Sequence, residues 1–181
     1  MSAPKIASAP TLRIRPAAPA DATALADLAE RTFRDTFGAV NTPANVAAHI
    51  AASYSPAKQL TEIESPQIRT LLVAHDDCAI GYAQLRSGHV PECVTTGAAI
   101  ELWHFYIDTA WLGHGVAQRL MEAVFAEAMD LDAEAIWLGV WQRNPRAIAF
   151  YRKRGFHEVG AHVFHLGGDA QVDSIMVRDL V

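Results

Sequence analysis

The chain has 181 residues, enough to build one well-buried domain and too few to make two domains a natural expectation. Hydrophobic residues make up 51% of it and charged residues 19%, which is ordinary globular composition. The formal net charge of −5 argues against nucleic acid as a partner and is compatible with a cationic ligand.

Cysteine usage and hydropathy bear on the compartment. The two cysteines, Cys78 and Cys93, lack ligand-like spacing, which argues against a disulfide framework or a thiolate zinc site and favours a reducing compartment. No basic segment followed by an apolar core opens the sequence, so we predict no signal peptide. Residues 36–57 carry no charged side chain, but Pro43 and several polar residues interrupt them, so we predict no membrane span. We therefore expect a soluble, cytoplasmic protein.

The first part of the chain is predicted to be mostly helical. Residues 1–10, with two prolines and small side chains, are predicted to be a disordered arm before a single domain at 11–181. Residues 11–15 alternate apolar and polar side chains, as a strand does. Residues 18–37 show helical spacing, with Asp21 available as the helix cap.

Further helices and a hairpin follow. Thr42–Pro43 form a strong helix start, and a third short helix is predicted around 56–64. Residues 68–75 and 78–88 are predicted to be two strands of a hairpin joined by a turn at Asp76–Asp77.

The second part of the chain alternates strands and helices. Residues 99–108 are predicted to be a strand, and 116–129 an amphipathic helix with a wide apolar face. Residues 134–140 are almost continuously apolar, as in a central parallel strand covered on both faces. A helix from Asn144–Pro145 to Gly155 follows.

Two last strands, 156–166 and 171–178, are predicted to be linked by a turn at 167–169. The order of elements indicates a mixed α/β domain around one sheet.

A glycine-rich turn, WLGHGVAQRL at 111–120, precedes the helix predicted to begin near Gly113. Free N–H groups and the positive end of a helix dipole suit an anion, and glycines let phosphate oxygens approach the backbone. An ordinary tight turn is the alternative. The spacing is neither that of the dinucleotide-binding fingerprint nor that of the P-loop.

A second motif, WQRNPRAIAFYRKRGF at 141–156, places Asn144 and Tyr151 seven residues apart, about two helical turns and on one face. Core packing alone is the alternative for its aromatic residues. Its position directly after the glycine-turn unit favours a cofactor cleft.

Together the stretches YIDTAWLGHGVAQRLM and NPRAIAFYRKRGF resemble the two signature motifs of the GCN5-related N-acetyltransferase (GNAT) superfamily. Its Gln/Arg-x-x-Gly-x-Gly/Ala pattern falls on Leu112–Ala117. The second pattern is matched at Asn144, Ala147, Phe150, Tyr151, Gly155 and Phe156. TFRDTFGAVNTPANVAAHI, IWLGVWQRNPRAIAFY and GAHVFHLGGDAQVDSIM are similar to bacterial polyamine acetyltransferases of the PaiA type, which act on spermidine and spermine.

The resemblance implies an α/β fold with a mixed, mostly antiparallel sheet that splays between its fourth and fifth strands and is flanked by helices. It also implies acetyl-coenzyme A, with the pyrophosphate on the amides of 113–117 and the pantetheine along 105–107. The implied cofactor-binding residues are Phe105, Tyr106, Ile107, Leu112, Gly113, His114, Gly115, Val116, Ala117, Asn144 and Tyr151.

Leu112 departs from the family pattern, which has Gln or Arg at this position. One polar contact with the cofactor is lost, so main-chain donors would carry more of the binding. The candidates for a compensating side chain at the phosphates are His114, Arg119, Arg143 and Arg146.

Acetyl transfer to an amine with a pKa near 10.4 benefits from a base, because few such amines are neutral at pH 7. Glu101 is our first candidate, since it precedes Leu112 by eleven residues, where several family members carry a catalytic glutamate. Strand alternation predicts that it shares a face with Trp103, Phe105 and Ile107. A solvated charge at a strand start is the alternative.

The remaining roles follow from the resemblance. Tyr151 is implied to protonate the departing thiolate, and a backbone N–H near 105–107 to hold the oxyanion. Asn144 either hydrogen-bonds the pantetheine or orders its loop.

Three further groups of polar residues are open to two readings each. His104 is predicted to point away from the Glu101 face, although a base role is possible in principle. The odd separation of His162 and His165 argues against a shared metal, and we predict no metal site. An acidic channel for a polycation or an exposed helix face are the alternatives for the remaining group, Asp35, Glu62 and Glu64.

The sequence therefore predicts an acetyl-CoA-dependent N-acetyltransferase acting on a primary amine, with spermidine or spermine as acceptor, without nucleic-acid or membrane partners, and with a homodimer as one possible assembly. The rival functions are acetylation of a protein N-terminus or another small amine, and a non-catalytic regulator that binds acyl-CoA.

Overall fold

A computed structural model describes residues 12–166 and 169–180. The predicted arm at 1–10 and residues 167–168 of the turn predicted at 167–169 lie outside the described residues. The strands are β1 Leu12–Pro16, β2 Ile68–His75, β3 Cys78–Arg86, β4 Ala99–Ile107, β5 Ala135–Trp141, β6 His157–Leu166 and β7 Asp169–Asp179. The helices are α1 Ala22–Phe37, α2 Pro43–Ser53, α3 Pro56–Glu64, α4 Val116–Asp130 and α5 Pro145–Lys153.

The strands form one seven-stranded sheet in the order β1-β2-β3-β4-β5-β7-β6, which confirms the predicted mixed α/β class. Every neighbouring pair is antiparallel except β4 and β5. That parallel pair is short, joining Ala99–Glu101 to Ala135–Trp137, and beyond it the two strands part. The sheet is therefore splayed between its fourth and fifth strands, as the resemblance implied.

Helices cover both faces of the sheet. On one face, Leu120, Met121 and Val124 of α4 pack into the largest apolar cluster, together with Ile136 and Leu138 of β5. On the other face, residues of α1 and α2 pack against β2 and β3. Because β5 contributes to clusters on both of its faces, the prediction of a doubly covered central strand is confirmed. Across 12–166 and 169–180, no helix is long and apolar enough to cross a membrane.

Two predictions about helix starts have different outcomes. The Thr42 hydroxyl accepts a hydrogen bond from the Asn45 N–H at 3.2 Å, with Pro43 as the first helical residue, so the predicted cap of α2 is confirmed. Asp21 is the N-cap residue of α1, as predicted, but its side chain makes no capping hydrogen bond to that helix. A 3₁₀ turn ends at Asp21. The Asp21 carboxylate accepts hydrogen bonds from the Ala18 N–H at 2.7 Å and from the Arg15 guanidinium at 2.7 and 2.8 Å.

A β-bulge in β4 determines which of its side chains lie on each face of the sheet. Leu85 pairs with Leu102 and Gln84 pairs with His104, so Trp103 is an extra residue with no partner on β3. An extra residue shifts the alternation of side chains by one.

The bulge makes one sequence prediction wrong. Phe105 and Ile107 join the apolar cluster to which Leu102 belongs and do not share the face of Glu101. His104 and Tyr106 lie on the Glu101 side instead, opposite Gln84 and Tyr82 of β3.

Candidate functional site

Two cavities meet where β4 and β5 part. The first, of about 490 Å³, lies under α1, α2 and α3, and we call it the polar cavity because Glu62, Arg86, Glu101, His162 and Asp173 line it. The second, of about 650 Å³, lies between the glycine turn and α5, and we call it the glycine-loop cavity. The walls common to both are formed by Thr36, Phe105, Tyr106, Trp141, Asn144, Ala147 and Tyr151.

The glycine turn has the open backbone that an anion requires. Gly113 and Gly115 have φ angles of 86° and 79°, a region in which side chains are strained, and a Cβ at either would meet no atom within 4 Å. The α4 helix begins at Val116, later than the predicted start near Gly113, because Gly115 is its left-handed N-cap. The first intrahelical bond runs from the Arg119 N–H to the Gly115 carbonyl at 3.2 Å.

The N–H groups at 116–118 precede that bond, so the helix itself offers them no acceptor. Free amides, a helix N-terminus and an unobstructed approach together fit a phosphate group. The side-chain oxygen Oδ1 of Asn144 serves a different purpose. It accepts a hydrogen bond from the Ala147 N–H at 3.1 Å and so caps α5, which is the loop-ordering alternative for this residue.

The predicted cofactor residues occupy different positions around the glycine-loop cavity. Eight of them line it: Phe105, Tyr106, Ile107, Leu112, Gly113, Ala117, Asn144 and Tyr151. His114 lies against the Trp111 ring, with its Nδ1 3.2 Å from the Leu112 carbonyl oxygen. The Val116 side chain is buried in the apolar core, so this residue offers the cavity its backbone only.

Four cationic side chains were candidates to compensate for Leu112 at the phosphates. Arg143 and Arg146 line the glycine-loop cavity, whereas Arg119 and His114 do not. The two arginines lie beside Asn144, at the start of α5, opposite the glycine turn. The positive side chains that could compensate for Leu112 are therefore supplied by α5 and its preceding loop.

Tyr151 lies at the junction of the two cavities. Its ring packs against the rings of Phe105, Phe150 and Phe156 and is 8% exposed. Within the described part of the chain, its hydroxyl has no hydrogen-bond partner. Burial raises the pKa of this phenol, so it holds its proton at neutral pH. A protonated phenol in a packed ring environment therefore lies at the gap in the sheet.

Glu101 is a largely buried, ion-paired carboxylate. It is therefore not the solvated charge at a strand start that was the alternative to a base role. Its Oε2 accepts a hydrogen bond from Nε of Arg86 at 2.8 Å and forms an ion pair with Nη2 of the same guanidinium at 2.6 Å. Burial raises the pKa of Glu101, while the hydrogen bond and charge of Arg86 oppose that rise. The Arg86 guanidinium also lies over the Trp103 ring at 4.1 Å, so the bulged residue holds the partner of Glu101 in place.

His104 lies on the same side of β4 as Glu101, so the prediction that it points to the opposite side is wrong. The bulge at Trp103 is the cause. Its ring lies among the rings of Tyr54, Tyr82 and Tyr106. Burial lowers the pKa of His104 to about 3, so its imidazole is neutral at physiological pH and a poor proton acceptor.

The proposed acidic channel does not form as one group. Glu62 lines the polar cavity, Asp35 lines the glycine-loop cavity and accepts a hydrogen bond from the Thr109 hydroxyl at 2.7 Å, and Glu64 is exposed. These residues are separated because Asp35 and Glu62 lie on different helices.

Sequence reasoning missed one pair in the polar cavity. Asp173 of β7 lies directly opposite His162 of β6, with 3.7 Å between Oδ2 and Nε2. A Cβ at Gly139 would lie 3.1 Å from that histidine nitrogen, so the glycine leaves room for the pair. The side chain of His165, the other half of the considered metal pair, lies outside the described residues. No local pattern signals this pair, because it depends on the register of the last two strands.

Comparison with known proteins gives a consistent result. Residues 23–156 match the Acetyltransferase (GNAT) family. An uncharacterized N-acetyltransferase of Mycobacterium tuberculosis is 36% identical over 161 residues, which cover 89% of this chain and 99% of the relative. An uncharacterized N-acetyltransferase of Lactobacillus delbrueckii is 28% identical, with coverage of 85% and 89%.

Solved structures share the fold. The PaiA N-acetyltransferase of Thermoplasma acidophilum, in complex with coenzyme A, has a TM-score of 0.75 at 21% identity, covering 93% of this chain and 99% of that one. A GCN5-related N-acetyltransferase of Rhodopseudomonas palustris has a TM-score of 0.71 at 18% identity, covering 98% and 99%. With both signature motifs, the splayed sheet and these matches in view, the chain belongs to the GNAT family of N-acetyltransferases.

Proposed function

We propose that this GNAT enzyme transfers the acetyl group of acetyl-CoA to a primary amine by direct attack, with spermidine or spermine as the acceptor. The single observation that carries the proposal is the meeting of two cavities at Tyr151, in the gap between β4 and β5. One cavity offers a phosphate cradle, and the other offers charged groups to an amine. Family membership supports acetyl-CoA as the donor, as does the coenzyme A in the Thermoplasma acidophilum neighbour.

In this proposal, the amides of residues 113–117 hold the pyrophosphate, with Arg143 and Arg146 supplying positive charge from the opposite wall. The edge of β4 at Phe105–Ile107, which has no pairing with β5 in the described structure, offers backbone groups to the pantetheine. Asn144 keeps the start of α5 ordered beneath it. These contacts would place the thioester beside Tyr151.

The reaction requires a neutral amine, a site for the oxyanion and a proton for the thiolate. Glu101 takes the proton of the amine, directly or through water, and the nitrogen attacks the thioester carbonyl. A backbone N–H near Phe105–Ile107 stabilises the oxyanion. When the carbon–sulfur bond breaks, the departing thiolate receives the proton of Tyr151. The nitrogen then releases its second proton, which returns to the Tyr151 phenolate through water. The products are the N-acetylated amine and coenzyme A.

The choice of polyamine rests on two supports. The sequence resembles PaiA-type enzymes in several stretches, and a PaiA N-acetyltransferase shares the fold. An acceptor panel with thiol release as the readout tests the choice. Release with a peptide N-terminus but not with spermidine contradicts the polyamine acceptor, and acetyl-CoA binding without release to any amine contradicts the enzymatic proposal.

Replacing Tyr151 with Phe removes the proposed proton donor while keeping the buried ring. We expect kcat to fall by about 10²- to 10⁴-fold, the usual contribution of a general acid, with the Kd for acetyl-CoA nearly unchanged. Stopped assays of thiol release and calorimetric titration measure the two quantities. Tyr82→Phe is the matched control, because Tyr82 is fully buried and lines neither cavity. An unchanged kcat in Tyr151→Phe means that another group protonates the thiolate.

Replacing Arg86 with Gln tests Glu101 as the base. Arg86 holds the pKa of Glu101 down against burial. Its removal therefore raises that pKa, and the acidic limb of the kcat/KM profile should move to higher pH. His162 and His89 also favour the carboxylate and stay in place. Arg69→Gln, at an exposed residue paired with Glu127, is the control and should leave the limb where it is. An unmoved limb in Arg86→Gln excludes Glu101 as the titrating base.

Replacing Leu112 with Arg restores the family residue at the wall of the glycine-loop cavity. A charge-assisted contact with the pyrophosphate should lower the KM for acetyl-CoA by about threefold to tenfold at low salt. Leu131→Arg adds the same charge just after the other end of α4 and should leave that KM unchanged. If both variants behave alike, position 112 does not contact the phosphates.

A further inference from the structure

The charges of the polar cavity are arranged by depth. The carboxylates are buried: the side chains of Glu62, Glu101 and Asp173 are 6%, 12% and 16% exposed. The cationic partners reach outward: the side chains of Lys58, Arg86 and His162 are 50%, 39% and 42% exposed. The deeper part of the cavity is therefore acidic, and its positive groups lie toward solvent.

Glu62 is the most buried of these carboxylates, and its two oxygens have different surroundings. Oε2 accepts hydrogen bonds from the side-chain amides of Gln59 and Gln84, each at 3.1 Å. Among the described residues, Oε1 is paired with the Lys58 ammonium alone, at 3.9 Å, which is longer than a hydrogen bond. One oxygen is thus fixed to α3 and β3, and the other can accept a hydrogen bond from a ligand.

The surroundings of Glu62 suit a cation. The rings of Tyr54, Trp103, His104 and Tyr106 form part of the same cavity wall, and aromatic faces attract ammonium groups. Burial raises the pKa of Glu62, and the hydrogen bonds of Gln84 and Gln59 and the charges of Lys58 and Arg86 oppose that rise. A ligand ammonium on Oε1 would add a further charge and hydrogen bond.

The strand register beside Glu62 gives a scale for the length of the ligand. Glu62 is hydrogen-bonded to Gln84, which pairs with His104, and the next pair on the same face of the sheet is Tyr82 with Tyr106. Two residues along a strand span about 7 Å. That distance matches two amine groups separated by a chain of a few methylenes.

We propose that Glu62 is a specificity-determining residue that binds the second, non-reacting ammonium of the acceptor. This assignment rests on the proposed amine acetyltransferase activity and narrows its substrates to amines that carry a second positive group. Lys58 occupies the same carboxylate from the rim when no acceptor is bound and competes with the ligand for it.

Kinetics with putrescine and butylamine test the assignment, because these amines share a four-carbon chain and differ in the second ammonium. The wild type should use putrescine with the lower KM. Glu62→Gln should raise the KM for putrescine about tenfold, as expected for loss of one charge-assisted hydrogen bond, and leave the KM values for butylamine and acetyl-CoA unchanged. Glu64→Gln, an exposed position on the same helix, should behave as wild type.

A second variant acts in the opposite direction and keeps α3 intact. Lys58→Ala removes the competing cation and should lower the KM for putrescine but not for butylamine. Equal changes for both amines in Glu62→Gln, or no change at all, overturn the assignment while leaving amine acetylation in place. Absence of thiol release from the wild type with either amine, and with spermidine, overturns the proposed function and this assignment together.

Discussion

The parallel pairing of β4 and β5 ends after Glu101 and Trp137, and the site depends on that limit. Had the two strands stayed paired to their ends, their backbone groups would be satisfied by one another and the sheet would be closed. Because they part, the β4 edge near Phe105 has backbone groups available, and the two cavities share walls there. Tyr151 of α5 lies at that connection, where a donor and an acceptor bound from opposite sides would meet.

The bulge at Trp103 is the second constraint, and it acts on electrostatics. By shifting the alternation of β4, it turns Phe105 into the core and brings His104 and Tyr106 to the side of Glu101. It also places the Trp103 ring beneath the Arg86 guanidinium, which holds Glu101. One inserted residue therefore determines which side chains of β4 line the polar cavity and how Glu101 is paired.

Much of this fold could be predicted from the sequence, because the signals are local. The apolar period of α4, the Thr42–Pro43 start of α2 and the positive-φ glycines of the turn are properties of short segments. The faces of β4 could not be predicted, since strict alternation fails at a bulge that only pairing with β3 reveals. Nor could the proximity of His162 to Asp173, or the separation of Asp35 from Glu62, because both depend on how distant elements pack.

A crystal structure of the protein with coenzyme A tests most directly the central claim that donor and acceptor meet at Tyr151. The account predicts the pyrophosphate on the amides that begin α4, within reach of Arg143 or Arg146, and the thiol within hydrogen-bond distance of the Tyr151 hydroxyl. The polar cavity would then remain open to an amine. A pyrophosphate bound away from the glycine turn, or a thiol that does not enter the gap between β4 and β5, would contradict it.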